Sequence, residues 1–198
     1  MGLKIDYIDG QTPLDEDEKE GLQIKSITTR GELDEFEQYN IEKAIQWTIG
    51  KKWKSDYILS EVFVRELHKR MFSEVWIWAG EFRKTNKNIG VDKYQVPLTL
   101  KQLLDDCKFW INNNTYSDEE IAIKFKHGIV KIHCFANGNG RHSRLMADII
   151  ISHIFGKPAF SWNRTNLNKK GDARSRYLAA IRLADSGDIN PLIDFARG

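Results

Sequence analysis

Apolar residues recur at helical spacing along most of the chain, and nearly every run has a recognisable start or stop. Leu33, Phe36, Tyr39/Asn40, Ala44 and Trp47 fall on one side of a helix predicted from Glu32 to about Ile49, and Val62, Leu67 and Met71 line another within Leu59 to Phe72. Thr99 can cap a third helix reaching Asn112, with Leu103, Leu104, Cys107 and Trp110 on one face. Ser117 followed by Glu120 is a capping box, and Ile121, Phe125, Ile129 and Ile132 carry the period up to His133. Leu145, Met146, Ile149, Ile150 and Ile154 form the next apolar stretch, beginning near Arg141. Ala173 to Ala184 is the last long helix, after a break at Lys157-Pro158 and a polar connection from Ser161 to Gly171. Only between Arg83 and Pro97 does the period vanish. There Ile89, Val91, Tyr94 and Val96, around Gly90-Val91-Asp92-Lys93, read as a short β-hairpin closed by a proline stop. The expected class is all-α with one short hairpin, and the acidic opening at residues 9–20 reads as a solvated loop and short helix.

Composition narrows the function without naming it. The 198 residues, 41% of them hydrophobic and six of them Trp, suffice for one well-buried domain. Its expected parts are an N-terminal segment, residues 1–54, packed on a core at residues 55–198. Thirty basic residues nearly balance twenty-eight acidic ones, so the net charge of +2 argues for neither nucleic acid nor a membrane surface. Arg164, Lys169, Lys170, Arg174 and Arg176 cluster, but with only Trp162 and Tyr177 interleaved they read as a solvated face. Two cysteines outside any zinc spacing suit a reducing cytoplasm. Residues 1–30 hold no apolar run like a signal peptide, and the stretch near Ile149 to Ile154 is too short to cross a bilayer.

The chemistry gathers between residues 133 and 144, His-Cys-Phe-Ala-Asn-Gly-Asn-Gly-Arg-His-Ser-Arg. A helix delivers His133, glycines let backbone N–H groups converge, and a second helix opens with its first N–H groups unpaired, which together make an anion site. Arg141 and Arg144, three apart, add two planar forks suited to a di- or triphosphate. His133 can take a proton from a hydroxyl near neutral pH. The residues alone also permit a packing or capping histidine and an ordinary Asn-Gly turn, and they fit neither the Walker nor the dinucleotide glycine pattern. His68, without a metal partner at i+4, reads as a packed or surface histidine.

The pattern His-x-Phe-x-x-Gly-Asn-Gly-Arg-x-x-Arg resembles the signature of the Fic (Fic/Doc) family, and Trp78-Ala79-Gly80-Glu81-Phe82-Arg83 is similar to the family's lead into a β-hairpin flap. The resemblance spans about residues 55–185. A Thr-Pro-Leu opening at Thr12 to Leu14 and Thr-Arg-Gly-Glu-Leu at Thr29 to Leu33 resemble the subgroup called mobile mystery protein B. The resemblance implies a Fic-like helical fold and transfer of a nucleotide monophosphate, usually AMP from ATP with Mg²⁺, to a hydroxyl side chain of a target protein. His133 would be the general base and Phe135 a buried anchor. Gly138, Asn139 and Gly140 would form the anion hole, with Asn139 also reaching the phosphates; Arg141 would hold the β-phosphate and Arg144 the γ-phosphate. The flap, Ile89, Gly90 and Val91, would position the target by strand addition.

Two positions depart from the family pattern. Cys134 replaces a proline, and Asn137 stands where an acid commonly ligates Mg²⁺, so its amide would bind metal more weakly. Many members also carry a helix whose glutamate faces the second arginine. Here Glu37 is the candidate, paired with Arg144, with Glu20 as the competing position and a separate small antitoxin protein as another route to inhibition. The rival activities are Doc-like phosphoryl transfer, against which Gly140 stands, and a weakly catalytic toxin or binding module, which Asn137 favours.

Overall fold

The computed structural model describes residues 12–162 and 171–198 and is mostly helical. Among the described residues nine α-helices follow one another: α1 Glu16–Glu20, α2 Arg30–Thr48, α3 Ser55–Ile58, α4 Glu61–Phe72, α5 Val96–Asn112, α6 Asp118–Ile132, α7 Asn139–Ile149, α8 Asp172–Asp185 and α9 Asn190–Arg197. A π-helical turn, Ile150–Ile154, extends α7.

Starts are set by side chains that satisfy the first unpaired N–H groups. Thr29 and Glu32 form a reciprocal box at α2, Ser60 caps α4, and Ser117 accepts from the Glu120 N–H at α6. Pro97, read as a stop, lies instead in the first turn of α5, where a missing N–H costs nothing. That helix therefore begins three residues before Thr99. The short α9 follows the same rule, with Pro191 in its first turn and Leu192, Phe195 and Ala196 on the buried side.

The core lies between the α6–α7 pair and the layers on either side: α5 against α6, α4 against α7, α2 against α4, and α8 with α9. Phe63, Leu67, Phe72, Phe125 and Phe135 are fully buried there, each contributing about 1.5–3 kcal/mol by leaving water. Asn40 ties α2 to the end of α4 by donating to the Arg70 carbonyl and accepting from the Glu74 N–H, both at 2.9 Å.

Between Arg83 and Asp92 no strand forms, so the expected hairpin is absent and Ile89, Gly90 and Val91 lie in an irregular loop. The reason is Arg83. Its guanidinium donates to the carbonyls of Thr85 and Val91 from inside the loop, and the Val91 N–H goes to Ile132 at the end of α6 instead of across a hairpin. The acidic opening is also less solvated than expected, because Asp15 and Glu18 pair with Lys87 of that loop. Arg164, Lys169 and Lys170 lie outside the described residues. No helix among the described residues is long and apolar enough to cross a membrane.

Candidate active site

His133 closes α6 in the left-handed conformation, φ 59° and ψ 62°. A residue with a side chain sits there at a cost of about 1–2 kcal/mol, so something must hold it. Arg83 Nε donates to the His133 carbonyl at 2.6 Å and the Arg83 N–H to the Cys134 carbonyl at 3.0 Å. Gly90, at φ 101°, presses from the other side: a Cβ on it would lie 2.7 Å from His133 Cβ. The loop thus fixes the histidine by backbone contact.

The imidazole itself is 5% exposed. Burial, helped by the Arg83 charge, lowers its pKa to about 4, so the ring is neutral at pH 7. Nδ1 is buried without a hydrogen-bond partner among the described residues, and the tautomer with its proton there is the one that can act as a base toward Thr12. Nε2 then carries the lone pair, and it lies 3.2 Å from the Thr12 hydroxyl.

The turn after His133 is stapled to itself. Asn139 Oδ1 accepts the Phe135 N–H at 3.0 Å, and its Nδ2 donates to the Phe135 carbonyl at 2.8 Å. The Asn139 amide is therefore spent on the loop and does not reach outward to a phosphate as expected. Phe135 stacks on His68 at 3.7 Å between centroids. His68 is fully buried and uses both ring nitrogens: Nδ1 accepts the Gly80 N–H, so Nε2 carries the proton and donates to the Asn137 carbonyl, each at 3.0 Å. Its partners lie 12 and 69 residues away. The sequence left it a packed or surface histidine, and no local signal announced a strut for the anion loop.

The two motif glycines have different reasons. Gly138, at φ 77°, abuts Phe72 so closely that a Cβ would fall 2.6 Å from the ring. Gly140 meets nothing nearer than Arg144 Nη1 at 4.0 Å. The fold requires the first glycine; the second only keeps the cavity open. With Gly138 as N-cap, the first-turn N–H groups of α7 lack helical acceptors, the arrangement that binds anions.

Arg141 and Arg144 part company. Arg141 Nη1 donates to Glu37 Oε2 at 2.6 Å, while Trp76 Nε1 holds the other carboxylate oxygen at 2.6 Å. Glu37 is 2% exposed, so it is not a solvated helix residue, and its partner is Arg141 rather than the expected Arg144. The packing of α2 on α4 brings it to Arg141, whose guanidinium also lies 4.9 Å from the Phe72 ring. Glu20 stays exposed at the end of α1. Arg144 turns to Tyr177 of α8, 5.7 Å from its ring, with Lys126 over the same ring at 4.6 Å. Burial alone would raise the Tyr177 phenol, but Lys126 and Arg144 outweigh it and bring its pKa below the usual value.

These groups surround one cavity of about 410 Å³, lined among others by Thr12, Ile89, Gly90, His133, the 137–141 turn, Arg144 and Tyr177. That volume lies in the range of small-molecule sites, roughly 300–1,000 Å³. It can present a hydroxyl to a neutral base beside a nest of N–H donors and two guanidinium groups. A Mg²⁺ ion, implied by the resemblance, does not fit the donors present. Asn137 Oδ1 accepts the Gly138 N–H at 2.6 Å and faces Arg141 at 3.5 Å, and the only carboxylate among the described lining residues, Asp185, is held by His127 at 2.8 Å. No group of metal-binding side chains occurs among the described residues.

Comparison with known proteins gives a consistent picture. Residues 58–151 match the Fic/DOC family model. "Protein adenylyltransferase Fic" of Drosophila grimshawi is 30% identical over 136 residues, covering 67% of this chain and 26% of that protein. The Drosophila melanogaster protein of the same name is 29% identical over 146 residues, 72% of this chain and 28% of its own length. The chain thus spans about a quarter of these relatives. Among solved structures, Fic-1 of C. elegans superposes with a TM-score of 0.63 at 24% identity, covering 80% of this chain and 46% of that one. BepC of Bartonella tribocorum, solved with bound AMPPNP, superposes with a TM-score of 0.67 at 17% identity, covering 96% and 93%. These structures share the fold.

Proposed function

Through residues 58–151 the chain belongs to the Fic/DOC family, and from that premise we propose that it is a protein adenylyltransferase, moving AMP from ATP to a hydroxyl side chain of a target protein. One observation carries the reading: a neutral histidine, the open first turn of α7 and the Arg144 guanidinium meet in a single cavity. The acceptor hydroxyl gives its proton to His133 Nε2 while its oxygen bonds to the α-phosphorus. The bond from that phosphorus to the β-phosphate oxygen breaks, and pyrophosphate leaves. Backbone N–H groups at Asn139 and Gly140 offset the charge that builds on the α-phosphate, the Gly138 N–H being taken by Asn137, with Arg141 and Arg144 on the departing end.

The names of the curated relatives support adenylyl transfer, and the bare Gly140, which leaves room beside Arg144, favours it over Doc-like phosphoryl transfer. The engaged Asn137 amide favours a second reading, a binding module or toxin-like partner with little catalysis. Glu37 acts as an internal restraint by holding Arg141, a contact that favours self-inhibition over a separate antitoxin protein. Buried, unpaired thiols at Cys107 and Cys134 suit a cytoplasmic setting. The subgroup resemblance rests on the segments at Thr12 and Thr29 alone.

Incubation with α-labelled and γ-labelled ATP separates the readings. Label retained from the α position supports nucleotidyl transfer; label from γ alone replaces it with phosphoryl transfer; label from neither leaves binding. His133→Ala should abolish transfer and keep ATP affinity within about tenfold, because the lost group assists the transition state more than the ground state.

A further inference from the structure

The loop expected to receive a target instead holds a piece of this chain. Lys87, with 3% of its side chain exposed, pairs with Asp15 at 2.8 Å and Glu18 at 2.5 Å, and Thr85 donates to Asp15 at 2.6 Å. Leu14 is buried in the core, and a capping box on Asp15 sets the direction in which α1 leaves. Thr12 is consequently driven inward. It is 7% exposed, lines the cavity with Gly140 and Arg144, and places its hydroxyl 3.2 Å from His133 Nε2, the separation of a proton donor from its base. The adenylyl transfer proposed above needs a hydroxyl at that point but does not require it to come from residue 12. The Thr-Pro-Leu opening singled out in the sequence thereby acquires a place.

We infer that Thr12 is an intramolecular acceptor: residues 12–18 occupy the acceptor side of the cavity, and the chain modifies itself there. The inference rests on the adenylyl-transfer reading. In the step, the Thr12 O–H gives its proton to His133 Nε2 and its oxygen bonds to the α-phosphorus of ATP. The linkage to the β-phosphate opens, and pyrophosphate departs. The product is a phosphodiester joining Thr12 to AMP, and His133 returns its proton to solvent. Because acceptor and base belong to one chain, the rate constant is independent of protein concentration.

The test uses the full chain with α-labelled ATP, peptide mapping by tandem mass spectrometry, and a cell lysate as a source of other acceptors. The expected result is one AMP on the peptide containing Thr12, at the same rate constant over a hundredfold dilution. Thr12→Ser should keep this label and Thr12→Ala should lose it, while His133→Ala loses it with Thr12 intact. Lys87→Ala, which loosens the strap from outside the cavity lining, should slow labelling of Thr12 by roughly tenfold or more through lost positioning. Label on other residues that persists in Thr12→Ala overturns the inference and leaves adenylyl transfer standing, as does label on lysate proteins alone. Labelling of Thr12 that accelerates with protein concentration overturns the intramolecular assignment. Label on neither chain nor lysate overturns this inference and the transferase reading together.

Discussion

The two arginines of the motif stand three residues apart on one helix, yet they live in opposite electrostatic surroundings. Arg141 is neutralised by a buried carboxylate that Trp76 also holds. Arg144 pairs with no carboxylate among the described residues and shares the Tyr177 ring with the buried ammonium of Lys126. One side of the cavity is already satisfied, and the other carries surplus positive charge. An incoming polyphosphate therefore finds its welcome at Arg144 and must compete with Glu37 at Arg141. Identical side chains with identical spacing need not share a role, because the partner supplied by a distant helix decides what each is free to do.

Equal truncations should separate them most. Arg141→Ala leaves Glu37 buried without its cation and should cost about 3–5 kcal/mol of stability. Arg144→Ala relieves repulsion with Lys126 and should change stability by about 1 kcal/mol or less. Urea unfolding of both variants measures this, and similar losses would dissolve the comparison. Next in size is the gain from releasing the satisfied side. A charge-assisted pair worth about 1.5–3 kcal/mol corresponds to a roughly ten- to hundredfold rise in α-label incorporation in Glu37→Gly. Glu20→Gly serves as the control, and a rise confined to Glu20→Gly would move the restraint to α1.

The smallest effect is in pH. On the Arg141 side, burial lowers His142 to about 4, with its Nε2 held by the Val64 carbonyl. The unfolded chain then binds this proton first, so the His142 contribution is present above about pH 6.5 and fades as pH falls toward 4. Beyond Arg144, burial raises Asp148 to about 7 against the donors Trp162 and Phe160. Its sign is opposite: the folded chain holds that proton longer, so the contribution is present at low pH and fades as pH rises through 7. Asp148→Asn removes the opposing group, and stability should climb more steeply from pH 4.5 to 7, by a slope approaching one proton. Parallel pH profiles for wild type and variant would refute the assignment.

How much of this was legible depended on the distance over which each signal acts. The α6–turn–α7 unit was readable because caps, period and glycines all act within a few residues, and Ser117, Ile121 and Gly138 sit where those local rules put them. The 83–97 segment was misread because alternating apolar residues resemble a hairpin, whereas the Arg83 guanidinium took the carbonyls that a partner strand would have used. Glu37 was singled out but assigned to the wrong arginine, since periodicity locates a residue on α2 without giving the register of α2 against α7. His68 and Thr12 escaped altogether as site residues. Their contacts span 69 and 121 residues, and nothing near them in the chain announces either.

The order of these parts along the chain has a consequence for synthesis. Glu37 precedes Arg141 by 104 residues and Thr12 precedes His133 by 121. At about 5–20 residues per second a ribosome makes both covers roughly 5–25 s before the site they cover. The motif is therefore completed in the presence of its own occupants, and an uncovered cavity has to be opened after birth rather than closed.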